Sequence, residues 1–240
     1  MSSRTSPRRI LPRAHGSGLH DHRMNLELYV ITDETIAGGL SHAEIARRAV
    51  PGGADIIQLR DKGLSCAALA AAGREIAAVV RESGAVFIVN DRLDVAIACG
   101  ADGVHLGQDD MRVSTARQLA PPGFIIGVSV STVDEAVQAE QEGADYLALS
   151  PVFSTASKDD AGPGLGPGRL TEIRRAVSLP LVAIGGINRQ NVRDVIAAGA
   201  DGIAVISAVV ASPDITAAAR ELRDLVRECK KGLRRNHSES

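Results

Sequence analysis

Gln58, Arg60 and Lys62 alternate along one short stretch, Gln58-Leu59-Arg60-Asp61-Lys62. In an extended chain they share one face, and Ile57 and Leu59 take the other. Burying an amide and two cations is costly unless they bind something. An internal salt-bridge layer is the bland alternative, but this residue set makes a better anion grip. Val89-Asn90-Asp91-Arg92 and Gly107-Gln108-Asp109-Asp110 add carboxylates. Mg2+ takes one or two carboxylates and completes its shell with water and phosphate oxygens. One Asp of the Asp109-Asp110 pair can instead cap a helix, and spacing leaves open which of them ligates. His105 is expected to be a hydrogen-bonded residue of the sheet rather than a base. Ser129, in Val128-Ser129-Val130-Ser131, either orients a polar ring or caps the helix that follows.

A second group of residues suits a phosphate. Ser150-Pro151-Val152-Phe153-Ser154-Thr155-Ala156-Ser157-Lys158 opens a Gly/Pro-rich stretch that ends at Pro167. A loop of that length inside a compact domain is functional or disordered. This one carries hydroxyls and a lysine that can grip a phosphate and close over it. Ile184-Gly185-Gly186-Ile187-Asn188 and Val205-Ile206-Ser207-Ala208 lie further on. Gly-Gly lets oxygens approach backbone N–H groups, and a helix N-terminus favours the anion. The cationic grip with a metal suits a diphosphate; the amide grip suits a monophosphate. Together they imply a reaction joining a diphosphate-bearing molecule to a phosphorylated partner.

The elements that position these residues are marked by a repeat. Gly-Ala-Asp occurs at 53–55, 100–102, 143–145 and 199–201. An Ala-rich amphipathic stretch precedes each copy and a short apolar run follows it. Gly there fits a helix C-cap. The pattern predicts strands at 26–32, 55–60, 85–91, 103–107, 124–130, 146–150, 179–185 and 202–207. Helices are expected at 41–50, 65–83, 93–99, 114–120, 132–142, 168–177, 188–198 and 214–229. Near-continuous Val/Ile/Leu strands are those of a parallel sheet covered by helices. Eight alternating units predict an α/β fold, a single (β/α)8 TIM barrel, with its chemistry at the C-terminal strand ends. A doubly wound open sheet is the competitor, but it gives the 151–167 stretch no role.

Composition narrows the function classes. The 240 residues are 45% hydrophobic and 23% charged, which suits a folded globular body. With 2% aromatics and no Trp, no base-stacking platform for nucleic acid is expected. No apolar run is long enough to span a membrane. The net charge of −2 divides into +4 on residues 1–24, +3 on 230–240 and −9 on 25–229. A basic duplex-binding body is therefore excluded, and 1–24 and 230–240 read as solvated basic tails flanking a 25–229 catalytic domain. Arg8-Arg9 has no apolar segment after it and is not read as a signal. Three scattered cysteines, Cys66, Cys99 and Cys229, suggest neither zinc nor a disulfide scaffold and fit a reducing cytoplasm. A homo-oligomer is left open.

The chain resembles the thiamine phosphate synthase family over roughly residues 26–228. The motifs that carry the resemblance are Leu28-Tyr29-Val30-Ile31-Thr32-Asp33, Gln58 to Lys62, Val89 to Arg92 and Asp102-Gly103-Val104-His105-Leu106-Gly107-Gln108-Asp109-Asp110. Gly127-Val128-Ser129 and Ala183-Ile184-Gly185-Gly186-Ile187 complete them. The resemblance implies coupling of hydroxymethylpyrimidine diphosphate with thiazole phosphate, giving thiamine phosphate and pyrophosphate. It implies Mg2+ on Asp91 and Asp110, and the diphosphate on Arg60, Lys62, Asn90 and Lys158. It implies pyrimidine contacts from Gln58 and Ser129. Thr155, Ser157, Gly186, Ile206 and Ser207 would seat the thiazole phosphate. The family mechanism is dissociative, pyrophosphate leaving first. Two departures stand out: Ser150-Pro151 where the family usually has Gly-Pro, and Thr155-Ala156-Ser157-Lys158 where it usually has Thr-x-Thr-Lys. The sister thiazole tautomerase is the alternative, but it lacks the full diphosphate set and has His where this chain has Ser131. A non-catalytic regulator of the same pathway is a third reading, one that gives a metal pair no purpose.

Overall fold

A computed structural model describes residues 24–155 and 162–238, the side chains to 235. Helices and strands alternate: β1 (Leu28–Thr32), α1 (His42–Ala49), β2 (Ile56–Leu59), α2 (Cys66–Arg81), β3 (Val86–Asn90), α3 (Leu93–Cys99), β4 (Gly103–Leu106), α4 (Val113–Leu119) and β5 (Ile125–Val130). α5 (Val133–Gln141), β6 (Tyr146–Leu149), α6 (Gly166–Ala176), β7 (Leu181–Ile184), α7 (Val192–Ala197), β8 (Gly202–Val205), α8 (Ser207–Val210) and α9 (Ile215–Ser238) follow. The eight strands pair in parallel in chain order, and β8 closes on β1 with Leu28 opposite Ile203. The expected barrel is therefore present, and the open-sheet competitor is excluded.

Strand alternation sorts the two layers of the core. Leu28, Val30, Ile57, Leu59, Phe87 and Val89 face outward and pack with helix residues such as Ile45, Ile76 and Leu93. Tyr29, Ile31, Ile56, Ile88, Tyr146 and Val182 fill the barrel interior as a separate cluster. Burying both faces is why the strands read as unbroken apolar runs.

The Gly-Ala-Asp repeat has a structural cause. Gly53, Gly100, Gly143 and Gly199 all have positive φ, between 75° and 106°, the left-handed turn that ends the preceding helix. The aspartate two residues later then clamps the strand before it. Asp55 Oδ2 accepts from Leu28 N–H at 3.0 Å, and Asp102 Oδ2 from Phe87 N–H at 2.9 Å. Asp145 Oδ2 accepts from Ile126 N–H at 2.7 Å, and Asp201 Oδ2 from Leu181 N–H at 2.9 Å. Each clamp is returned, the aspartate N–H donating to the carbonyl of Leu28, Phe87, Ile126 or Leu181.

Two expectations need correction. The last strand stops at Val205 rather than 207: Ile206 leaves extended geometry at φ −112°, ψ −87°, and Ser207 begins α8. Nor is 230–240 a tail throughout, since α9 continues to Ser238. Leu233 still packs against the core, and Lys230 lies 3.8 Å from Glu27, whose carboxylate also takes Arg227 at 2.7 Å. The expected 1–24 tail lies outside the described residues but for Met24, which packs against the interior cluster.

Candidate active site

The C-terminal strand ends surround a cavity of about 470 Å³. Arg60 and Lys62, leaving β2, face Asn90 and Asp91 at the end of β3 and Asp110 after β4. The loop that carries the two cations is fixed from behind. Asp61 Oδ1 accepts the N–H groups of Gly63 and Leu64 at 2.7 and 2.9 Å, and its Oδ2 lies 3.3 Å from His42 Nε2. Burial pushes the Asp61 carboxyl up, but these partners outweigh it and hold the pKa below the ordinary value. His42 is buried at the start of α1, with its Nδ1 2.8 Å from Thr32 Oγ1. Asp61, flanked by Arg60 and Lys62, is thus structural, and its neighbours are left to the cavity.

Asp91 is held in an unusual state. Its φ is 62°, positive for a non-glycine residue, and its N–H donates to His105 O at 2.8 Å. Asx residues tolerate this region, but the conformation still costs on the order of 1 kcal/mol or more. Burial pushes the carboxyl up to about 6; a hydrogen bond with Asp110 and the charge of Asp110 add to the rise, and Lys62 and Arg60 oppose it. Asp110 in turn accepts from Gly107 N–H at 2.7 Å. Spacing left Asp109 and Asp110 equivalent; the geometry turns Asp110 onto Asp91, with Asp109 elsewhere on the cavity wall. No cluster of three or more His, Cys, Asp or Glu suited to a metal exists among the described residues. Two facing carboxyls, one of them pushed up by burial and by the charge of the other, are a donor set suited to a cation that keeps water and phosphate in its shell.

Gln58 lies inside the barrel, only 2% exposed, and is absent from the cavity wall. Its Nε2 donates to Tyr29 Oη at 2.6 Å, and Tyr29 Oη lies 3.0 Å from Tyr146 Oη. Tyr146 Oη reaches His105 Nδ1 at 2.9 Å, and His105 Nε2 reaches Ser129 Oγ at 2.9 Å. Ser129 does line the cavity. Burial pushes both phenols well above their ordinary pKa, so each keeps its proton. His105 is the hydrogen-bonded residue that the sequence led us to expect.

A second, narrower pocket lies between the ends of β7 and β8. Thr155, Gly186, Ile206 and Ser207 line it, with Ser150 shared between both cavities. The loop after β6 is strapped to β7, Val152 N–H donating to Ile184 O at 2.8 Å and Phe153 N–H to Gly185 O at 3.1 Å. A Cβ on Gly186 would fall 2.6 Å from Ser154 O, so the loop can lie this close only over glycine. Ser157 and Lys158 lie outside the described residues. Sequence reasoning missed Glu135, which reaches the cavity wall from α5. Its carboxylate accepts from Ser131 N–H at 2.7 Å and closes a capping box with Thr132, and a Thr-x-x-Glu pattern reads first as a cap.

Comparison with known proteins agrees with this geometry. Residues 28–209 match the family described as Thiamine monophosphate synthase. Thiamine-phosphate synthase of Methanoregula boonei is 64% identical over 211 residues, spanning 88% of this chain and 98% of that protein. The Methanoculleus marisnigri protein of the same name is 63% identical over 207 residues, 86% of this chain and 98% of its own. The solved structure of thiamine phosphate pyrophosphorylase from Pyrococcus furiosus superposes with a TM-score of 0.79 at 44% identity, covering 86% of this chain and 98% of that one. A family match over most of the barrel, and relatives this similar along almost their whole length, show that the chain belongs to the thiamine monophosphate synthase family.

Proposed function

We propose that the chain couples hydroxymethylpyrimidine diphosphate with thiazole phosphate, releasing thiamine phosphate and pyrophosphate. One observation carries the assignment: a cation-and-carboxylate cavity suited to a diphosphate adjoins a Gly-rich pocket suited to a monophosphate, and Ser150 lines both.

In this reading Arg60, Lys62 and Asn90 bind the diphosphate, joined by Lys158. Asp91 and Asp110 would hold Mg2+, which would supply charge neutralisation to the leaving diphosphate, a contribution of several kcal/mol. The facing carboxyls support that role: burial and then the neighbouring Asp110 push Asp91 up, and a cation between the two would offset both. The C–O bond to pyrophosphate breaks first, leaving a pyrimidinylmethyl cation. The thiazole nitrogen then supplies its lone pair to form the C–N bond. That nitrogen carries no proton, so no general base is needed. Thr155, Ser157, Gly186, Ile206 and Ser207 hold the thiazole phosphate, and Ser129 the pyrimidine. Proximity of two bound fragments does much of the remaining work.

No helix among the described residues is long and apolar enough to cross a membrane, and Cys66, Cys99 and Cys229 are free thiols. Both support a cytoplasmic setting. The test is product formation from the two substrates, with Mg2+ and with chelator. Thiamine phosphate and pyrophosphate are expected only with the metal. No product while thiazole phosphate still binds would overturn the assignment and point to tautomerisation.

A further inference from the structure

Five side chains cross the barrel interior in single file: Gln58, Tyr29, Tyr146, His105 and Ser129. Four contacts, 2.6 to 3.0 Å long, join the Gln58 amide nitrogen, both phenol oxygens, both imidazole nitrogens and the Ser129 hydroxyl. Such a file has a direction, because each phenol and a neutral imidazole carries one donor proton. The Gln58 amide donates into Tyr29 Oη. The described hydrogen bonds leave the Tyr29 proton only Tyr146 as acceptor. The Tyr146 proton then goes to His105 Nδ1, which must be the bare nitrogen. His105 therefore carries its proton on Nε2 and donates to Ser129 Oγ. With its oxygen so engaged, Ser129 has its own proton to offer the cavity it lines.

We propose that Tyr29, Tyr146 and His105 are positioning residues that fix Ser129 as a hydrogen-bond donor, so that this part of the cavity takes a heteroaromatic ring through an unprotonated ring nitrogen. The inference rests on the coupling reaction proposed above, in which that ring is the pyrimidine. It links two residues expected to touch the pyrimidine, Gln58 and Ser129, and shows why the buried one matters. Gln58 sets the direction of the file and Ser129 delivers it. His105 also stacks on the Tyr146 ring, centroids 5.6 Å apart and planes 28° apart, which restrains the imidazole.

The experiment has two readouts. The first is 15N NMR of the histidine-labelled wild-type protein, with the His105 signal assigned by its loss in His105→Gln. The Nε2–H tautomer is expected, and a proton on Nδ1 would overturn the proposal. The second is Tyr146→Phe, which keeps the ring and removes the oxygen that joins Tyr29 to His105. We expect about a 10-fold rise in KM for the pyrimidine diphosphate, the size of one lost hydrogen bond, with KM for thiazole phosphate unchanged. The single His105 tautomer should also be lost. Equal changes in both KM values, or none, would overturn the proposal. Should the variant fail to fold, the wild-type tautomer decides alone. A wild-type protein without turnover would remove the coupling reaction, whereas the tautomer would still be read without it.

Discussion

Asp91 and Asp110 meet carboxyl to carboxyl beyond the ends of β3 and β4; burial first, and then the hydrogen bond and charge of Asp110, push Asp91 up to about 6. The pair is thus destabilised when both are charged and nothing lies between them.

This relationship makes Asp91→Asn a two-signed substitution. A folded-state pKa of about 6 lies above the ordinary 3.8, so the native protein binds more protons than the unfolded chain between those values. Stability therefore falls as pH rises from 4 through 6, and the loss is complete above 6. Asp91→Asn should raise the Tm of the chelated protein at pH 8 by a few degrees and do nothing at pH 4. Mg2+ should raise the Tm of the wild type and not of the variant. Turnover should drop by about 100-fold or more, the size of a metal contribution of several kcal/mol. A folded variant with near-normal turnover would remove Asp91 from the site.

Asp102→Ala should do the reverse. It strips the clamp from Phe87 N–H at the far end of the barrel and leaves a part-buried donor unpaired. The expected cost is about 1–3 kcal/mol, at about 2–4 °C of Tm for each kcal/mol. Steady-state kcat below the lowered Tm should match wild type.

Gly127→Ala tests the barrel interior. A Cβ there would run into the ring of Tyr146, which is packed on the neighbouring strand and cannot swing away. Overpacking of this kind costs about 1–3 kcal/mol. Because Tyr146 carries the hydrogen bond to His105, KM for the pyrimidine diphosphate should rise together with the loss of Tm. A fall in Tm with unchanged KM would mean that the ring shifts without moving its hydroxyl.

Removal of residues 1–23 should leave kcat and KM unchanged. The residues that line both cavities begin at Arg60, and Met24, which packs on the barrel interior, is retained. A large drop in turnover would make the N-terminal segment part of the site.

The barrel was legible because its signals are local. Gly-Ala-Asp marks the helix ends, and apolar runs mark strands buried on both faces. The chain termini of elements were less legible. The last strand and α8 share the run Val205-Ile206-Ser207-Ala208, and no residue type there announces the change of backbone at Ile206. The end of α9 was hidden because Lys230, Lys231, Arg234 and Arg235 look like a solvated tail, and a single apolar anchor, Leu233, keeps the helix against the core. Alternation along the strand put Gln58, Arg60 and Lys62 on one face correctly, but depth along the strand was invisible, so the place of Gln58 inside the barrel and off the cavity wall was not foreseen. Nor was its link to Ser129. The Tyr29–Tyr146 contact joins residues 117 apart, and no sequence period connects them.

The four aspartate clamps carry a consequence for how such a protein can change over time. Each one ties an odd-numbered strand to the even-numbered strand after it, at the end remote from both cavities. The barrel is thereby built as four staves hooped at the base. Loops at the mouth can be lengthened, exchanged or rewritten, as at Ser150, without loosening the hoop. Robustness sits at one end of the strands and novelty at the other.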